Sequence, residues 1–125
     1  MKITYIAHPV ALPDKAENLK QIQHIVRDLN MAHRDLVPFA PYMTDCLTLD
    51  DTDFKQRNRG IANNIALFEK GMIDEVWLFG NRISEGMWQE IDLANRLQIP
   101  IEARTEGTKN ALIAKSLRDK RQSLS

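Results

Sequence analysis

The sequence has little of several residue types, and each shortage argues against a class of protein. Cys46 is the only cysteine among 125 residues, so no internal disulfide can form and a zinc site built on several cysteines is excluded. Three histidines without a pair at helical ligand spacing do not favour a catalytic transition metal. No apolar run approaches the roughly 20 residues of a membrane-spanning helix, and the opening run does not resemble a secretory signal. We therefore expect a cytoplasmic protein that works without a metal or other cofactor and does not enter a membrane.

An excess of one charge is also missing. Seventeen basic and seventeen acidic side chains cancel, whereas proteins that bind duplex nucleic acid usually present a strongly basic surface. We therefore expect no duplex nucleic acid among the partners. Hydrophobic residues make up 43% of the chain, as in ordinary globular proteins, and this length suffices for one hydrophobic core. The composition thus predicts a single globular domain over residues 1–125.

Four short apolar runs alternate with segments of helical periodicity. The runs predict strands at Ile3–Ala7, Leu36–Phe39, Glu75–Phe79 and Gln98–Ile101. Helices are predicted from Asp14, around residues 61–68, over 84–97 and over about 109–121, and the acidic stretch 42–53 is predicted to be a loop. Strands that alternate with helices favour right-handed crossovers. We therefore expect a three-layer α/β/α domain with a parallel sheet, of the Rossmann-like or flavodoxin-like type.

Ligands of parallel sheets bind at the carboxyl ends of the strands. The residues predicted at that edge are His8, Pro9, Tyr42, Gly80 and Asn81, together with the start of the third helix. A lone histidine such as His8 can orient a ligand or serve the structure alone. The sequence leaves both roles open.

Glu90 is the candidate catalytic residue. On a helical wheel Met87, Ile91 and Ala94 share the apolar arc, and Glu90 lies at its edge. Burial there raises the pKa of a carboxyl group and suits it to proton transfer or nucleophilic attack. The helix start before it offers unpaired N–H groups, with Ser84 and Gly86 as candidate ligand contacts.

Other interpretations of these residues stay open. Glu90 could instead form a structural ion pair with an arginine, and the sequence offers Arg57, Arg59 and Arg82. Arg59 could equally reach a phosphate of the ligand. Ser84 could act only as the N-cap of its helix.

Several segments together resemble the nucleoside 2-deoxyribosyltransferase-like family, in particular its small branch from bacteria and phages. They are Tyr5–Pro9, Pro38–Pro41, Asp74–Gly80, Ser84–Glu90 and Ile99–Ile101. The resemblance implies an enzyme that cleaves or exchanges the N-glycosidic bond of a nucleoside or nucleotide. It implies that Glu90 is the nucleophile, that Ser84, Gly86 and neighbouring Met87 contact the sugar, and that the turn at His8 and Pro9 faces the ligand.

The chain also differs from the family pattern at two places. Glu85 stands where members often carry an aspartate, and the turn after the first strand lacks glycine. Both differences favour the alternative function, a non-catalytic module that binds a nucleotide in the same pocket. The resemblance further implies a homo-oligomer, for which we expect Met72, Met87 or Trp88 near the contact.

Overall fold

A computed structural model describes residues 1–11 and 13–124. Along the chain the elements are β1 (Lys2–Ala7), α1 (Lys15–Ala32), β2 (Leu36–Phe39), α2 (Tyr42–Thr48), α3 (Phe54–Glu69), β3 (Glu75–Leu78), α4 (Glu85–Arg96), β4 (Ile101–Ala103) and α5 (Glu106–Ser123). None of these helices is long and apolar enough to cross a membrane. The predicted three-layer α/β architecture with a parallel sheet is confirmed.

The four strands form one parallel sheet in the order β2-β1-β3-β4. The chain moves from β1 to β2 in one direction and then crosses β1 to reach β3 and β4. Right-handed crossovers in opposite directions place α1 on one face of the sheet and α3 and α4 on the other. The order reverses between β1 and β3, and the carboxyl ends of these two strands therefore border the crevice where such sheets bind ligands.

The two faces of the sheet are buried by different helices. Tyr5 pairs with Val76 in the ladder between β1 and β3, and both belong to the main core, which also contains Phe68 of α3 and Ile91 of α4. The opposite face carries Trp77, which is 7% exposed and is therefore a core residue.

One predicted strand is shifted along the chain. Residues 98–101 were expected to form the last strand, but β4 is Ile101–Ala103. The residues between α4 and β4 form the turn that ends the helix. Gln98 has a φ of 60°, and the Ile99 N–H donates to the Ala94 carbonyl. The ladder therefore begins only after this turn.

The prediction of a loop over residues 42–53 is wrong for its first half. Tyr42–Thr48 is the helix α2, which tertiary contact supports, since the Tyr42 hydroxyl donates to the Ile6 carbonyl at 2.5 Å. The remaining residues form a turn in which Asp50 accepts from the Thr52 N–H at 2.9 Å, and Asp53 caps α3.

No group of three His, Cys, Asp or Glu side chains arranged for a metal ion occurs in residues 1–11 and 13–124.

Candidate functional site

Helix α4 carries the candidate catalytic residue. Ser84 caps the helix, with its Oγ accepting from the Met87 N–H at 3.3 Å. Met87, Ile91 and Ala94 are buried, as the helical wheel predicted. Glu90 lies at the edge of this apolar face and is partly buried. The local sequence thus fixes both the start of the helix and the side to which Glu90 points.

Three elements that are distant in sequence meet at the Glu90 carboxylate. The Tyr5 hydroxyl from β1 donates to Glu90 Oε2, and the side-chain amide of Asn64 from α3 donates to the same oxygen at 3.1 Å. The Asn64 amide also lies 2.9 Å from the Tyr5 hydroxyl oxygen. The carboxylate is therefore held by two neutral donors that also contact each other.

No cation among the described residues forms an ion pair with Glu90. Four ion pairs occur within residues 1–11 and 13–124, and none of them includes Glu90. The alternative of a structural ion pair with an arginine is therefore wrong. A carboxylate held only by neutral donors keeps its negative charge uncompensated at close range.

Burial raises the pKa of Glu90 from 4.5 to about 7, and the hydrogen bonds from Tyr5 and Asn64 oppose that rise only in part. Burial, together with the nearby Glu90 charge, also raises the pKa of Tyr5 and of Tyr42 well above the usual value, so both phenols stay protonated. Near neutral pH Glu90 is thus distributed between a carboxylate and a carboxylic acid. A pKa near the working pH suits proton transfer, and the carboxylate fraction is the form that can act as a nucleophile.

The two carboxylate oxygens of Glu90 have different surroundings. Both hydrogen bonds end on Oε2. The other oxygen, Oε1, has no hydrogen-bond partner in the described part of the chain, and it is not among the atoms sealed from solvent. Oε2 is therefore the anchored oxygen, and Oε1 is the oxygen that can meet a ligand.

Aromatic packing fixes the position of Tyr5. Its ring lies 4.7 Å from that of Phe68 and 5.7 Å from that of Tyr42. Tyr42 was predicted to contact the ligand, and the structure places it beside Tyr5, close enough for the Glu90 charge to affect its pKa. The packed rings of Tyr5, Tyr42 and Phe68 therefore hold the Tyr5 hydroxyl in position to donate to the carboxylate.

The crevice between β1 and β3 is bordered by three more predicted residues. Gly80 has a φ of +96°, and a Cβ on it would lie only 2.7 Å from Pro9 Cδ. Only glycine fits there without strain or displacement. The His8 ring lies against the same glycine, and its Nδ1 is 2.8 Å from the Pro9 carbonyl oxygen. These residues form a tightly packed rim at the strand ends.

The structure does not bring every predicted site residue to this place. Met87 is 1% exposed and belongs to the core, so its side chain does not face a ligand. Arg59 is exposed, and five residues along α3 turn it about 140° away from Asn64. Asn81 is exposed at the strand end, and Gly86 is exposed, with no atom beyond its chain neighbours and its own helix backbone within 4 Å of where its Cβ would be.

Two surface grooves lie elsewhere on the molecule. One of about 540 Å³ lies between α4 and α5, beside Trp88 and Leu112, and one of about 310 Å³ lies near Ile73 and Pro100. Neither includes Glu90. We place the candidate site at Glu90 because polar side chains converge there and the pKa of the carboxyl group is shifted. A groove without such groups does not by itself indicate a catalytic site.

Sequence reasoning missed Tyr5 and Asn64. Tyr5 is the one residue with a polar group on the face of β1 that it shares with Ile3 and Ala7, and Asn64 precedes Phe68 by one helical turn on the buried side of α3. Both signals exist locally. Neither shows which carboxylate the two groups reach, because that depends on how α3 and α4 pack on the sheet.

The fold and the site define an α/β protein with a parallel sheet and a partly buried carboxylate that two neutral side chains hold. Among solved structures, the chain is similar to a 2-deoxyribosyltransferase from the psychrotolerant bacterium Bacillus psychrosaccharolyticus, with a TM-score of 0.55 and 16% identity. The likeness covers 81% of this chain and 70% of that chain. At this identity it shows a shared fold.

By sequence, the chain belongs to the DUF7768 family, a domain of unknown function, whose family model matches residues 2–104. No protein of curated function matches it. Helix α5 begins at Glu106 and so lies outside the matched residues.

Proposed function

We propose that this chain cleaves or transfers the N-glycosidic bond of a nucleoside or nucleotide, with Glu90 as the nucleophile. The observation that carries the proposal is the Glu90 carboxylate itself, which has a pKa of about 7 and no cationic partner in the part of the chain that the structure describes. Its Oε2 is fixed by two donors, while Oε1 is free. The fold shared with a 2-deoxyribosyltransferase supports the substrate class.

In the proposed reaction, Glu90 Oε1 attacks the anomeric carbon of the sugar. The new C–O bond forms as the bond to the nucleobase nitrogen breaks, and the base leaves with the electron pair and takes a proton from solvent. A second base or a water molecule then attacks the same carbon, gives up a proton to solvent and releases the carboxylate, giving a new nucleoside or the free sugar. A covalent intermediate of this kind divides one difficult substitution into two easier steps.

Tyr5 and Asn64 act as positioning residues in this scheme. Their hydrogen bonds hold Oε2 and stabilise the charged form of the carboxylate, which is the form that attacks. Because both donors are neutral, they leave the negative charge of the carboxylate unpaired, whereas an arginine would neutralise it. They also stabilise the carboxylate when it departs in the second step.

The proposed ligand contacts lie around Oε1 and at the strand ends. The exposed start of α4 offers its unpaired N–H groups to sugar oxygens, and Gly86 leaves open space there. His8, Pro9, Tyr42, Gly80 and Asn81 border the same end of the sheet. Ser84 contributes mainly through the helix, since its Oγ is already engaged as the cap.

The experiment that tests the proposal is a turnover assay with the four 2′-deoxynucleosides, their 5′-monophosphates and a second free base. Chromatography should show release of free base or exchange of the base. Glu90→Gln should lose about 10³-fold or more of the rate, while Asp92→Asn, at an exposed position of the same helix outside the proposed contacts, should keep it. If the ligands bind and are recovered intact from the wild-type protein, the chain is a binding module and the catalytic proposal is rejected.

The proposal includes assembly into a homo-oligomer that completes the pocket. Of the three residues predicted near the contact, Met87 is buried within its own chain and cannot reach a partner. Met72 is 41% exposed, and Trp88 is partly exposed beside the groove between α4 and α5. These two residues carry that part of the proposal.

A further inference from the structure

His8 is a buried histidine that the proposed reaction at Glu90 does not use. Its side chain lies at the carboxyl end of β1 and is only 6% exposed. It lies at the strand ends where the strand order reverses, packed beside Gly80 at the end of β3. The His8 imidazole therefore lies at the edge where sheets of this kind bind ligands.

The hydrogen bond of one ring nitrogen determines the state of the other. Nδ1 lies 2.8 Å from the Pro9 carbonyl oxygen, and a carbonyl oxygen can only accept. In the neutral ring Nδ1 must therefore carry the proton, which leaves a lone pair on Nε2. Burial lowers the pKa of His8 below its ordinary value, against the opposing effect of the Pro9 carbonyl, so the ring is neutral above pH 7.

Nε2 is unpartnered but accessible. It has no hydrogen bond to any described residue, and it is not among the side-chain atoms that are sealed from solvent. A Cβ on Gly80 would lie 3.7 Å from it, so the atom faces the glycine rim of the crevice. The Thr105 hydroxyl fixes this rim by donating to the Gly80 carbonyl at 2.7 Å. A mostly buried ring thus presents one acceptor nitrogen that is not fully sealed from solvent, beside a rigid strand end.

From these contacts we propose that His8 Nε2 accepts a hydrogen bond from a hydroxyl group of the ligand. A lone pair held in this orientation attracts a neutral donor and repels a phosphate oxygen, which also presents lone pairs. His8 therefore selects an unphosphorylated sugar hydroxyl at the crevice between β1 and β3. This inference rests on the proposed function only in taking a nucleoside as the ligand.

The state of the ring can be tested without any ligand. In protein labelled with ¹⁵N-histidine, long-range NMR spectra at pH 7.5 should show His8 neutral with its proton on Nδ1. His24 and His33 provide the other two signals and serve as internal controls. A proton on Nε2, or a doubly protonated ring at this pH, overturns the inference.

The ligand contact is tested by binding to the Glu90→Gln protein, which prevents turnover. The probes are 2′-deoxyadenosine, 2′-deoxycytidine and thymidine, each with its 3′-deoxy and 5′-deoxy analogue and its 5′-monophosphate. Loss of the contacting hydroxyl should weaken binding about tenfold. In a second protein that also carries His8→Phe, the same loss should change affinity little, because the two changes remove one interaction. His8→Gln, which retains an acceptor oxygen, should restore part of the discrimination.

The outcomes separate this inference from the proposed function. If analogues lose affinity equally with histidine and with phenylalanine at position 8, or if the 5′- and 3′-modified ligands all bind alike, the His8 contact is rejected. Base release by the wild-type protein would then still support Glu90 as the nucleophile. If none of the nucleosides binds or turns over, both proposals are rejected together.

Discussion

Glu90→Gln should make the folded protein more stable above neutral pH. In the wild type, burial raises the pKa of this carboxyl from 4.5 to about 7. A group whose pKa is higher in the folded state binds its proton more tightly there, so it stabilises the fold fully below pH 4.5. That stabilisation is lost as the pH rises through about 7. A pKa difference of about 2.5 corresponds to a loss of about 3 kcal/mol.

Glutamine removes this pH dependence. It carries no charge at any pH, and its amide oxygen can still accept from Tyr5 and Asn64, which now hold Oε2. The unfolding free energy of the variant minus that of the wild type should therefore rise by about 3 kcal/mol between pH 4.5 and pH 8. Partial exposure of Glu90 makes this value an upper bound.

Urea unfolding followed by tryptophan fluorescence at the two pH values measures this difference. Glu85→Gln is the matched control, because Glu85 is exposed on the same helix and its substitution should give no such pH dependence. The reasoning is refuted if the gap between Glu90→Gln and wild type is the same at both pH values. It is equally refuted if the variant is the less stable protein at pH 8, as loss of a buried ion pair would produce.

Three further predictions concern the surroundings of the site and the assembly. Tyr5→Phe removes a hydrogen-bond donor to the Glu90 carboxylate, so the pKa of Glu90 should rise by about 1 or more. A ¹³C-carboxyl NMR titration measures this pKa, and an unchanged value would contradict the assigned contact. Gly80→Ala should lower the unfolding free energy by roughly 1–3 kcal/mol, because of its positive φ and the contact with Pro9. Gly86→Ala lies in open space and should raise the unfolding free energy by about 0.5–1 kcal/mol. Urea unfolding measures both variants, and equal effects of Gly80→Ala and Gly86→Ala would disprove the predicted difference. Light scattering should give a multiple of 14.4 kDa, whereas the monomer mass at working concentrations would exclude the proposed oligomer.

Local patterns in the sequence determined most of the elements. The apolar run at Val76–Leu78 and the spacing of Met87, Ile91 and Ala94 define their strand and helix whatever surrounds them, because strand and helix periodicities place side chains on one face. The same periodicity placed Glu90 at the edge of the buried face. The candidate nucleophile was therefore identifiable from a single helix.

Other features depended on contacts between distant residues. The helix α2 carries a polar sequence that predicts a loop, and Tyr42 ties it to the Ile6 carbonyl, 36 residues away. The start of β4 depended on how the chain leaves α4, where Gln98 adopts a positive φ. Local propensity is a weak guide wherever such contacts decide the conformation.

The chemical state of Glu90 was decided entirely by the tertiary structure. Its wheel position was compatible with an arginine partner or with a buried carboxylate. The packing of α3 and α4 on the sheet selected the second by bringing Tyr5 and Asn64, which are 85 and 26 residues away, to one oxygen. The sequence by itself determined that a carboxylate stands at the apolar edge of α4. Only the fold decided which groups hold it and which oxygen stays free, because hydrogen bonds between separate elements leave no periodic trace along the chain.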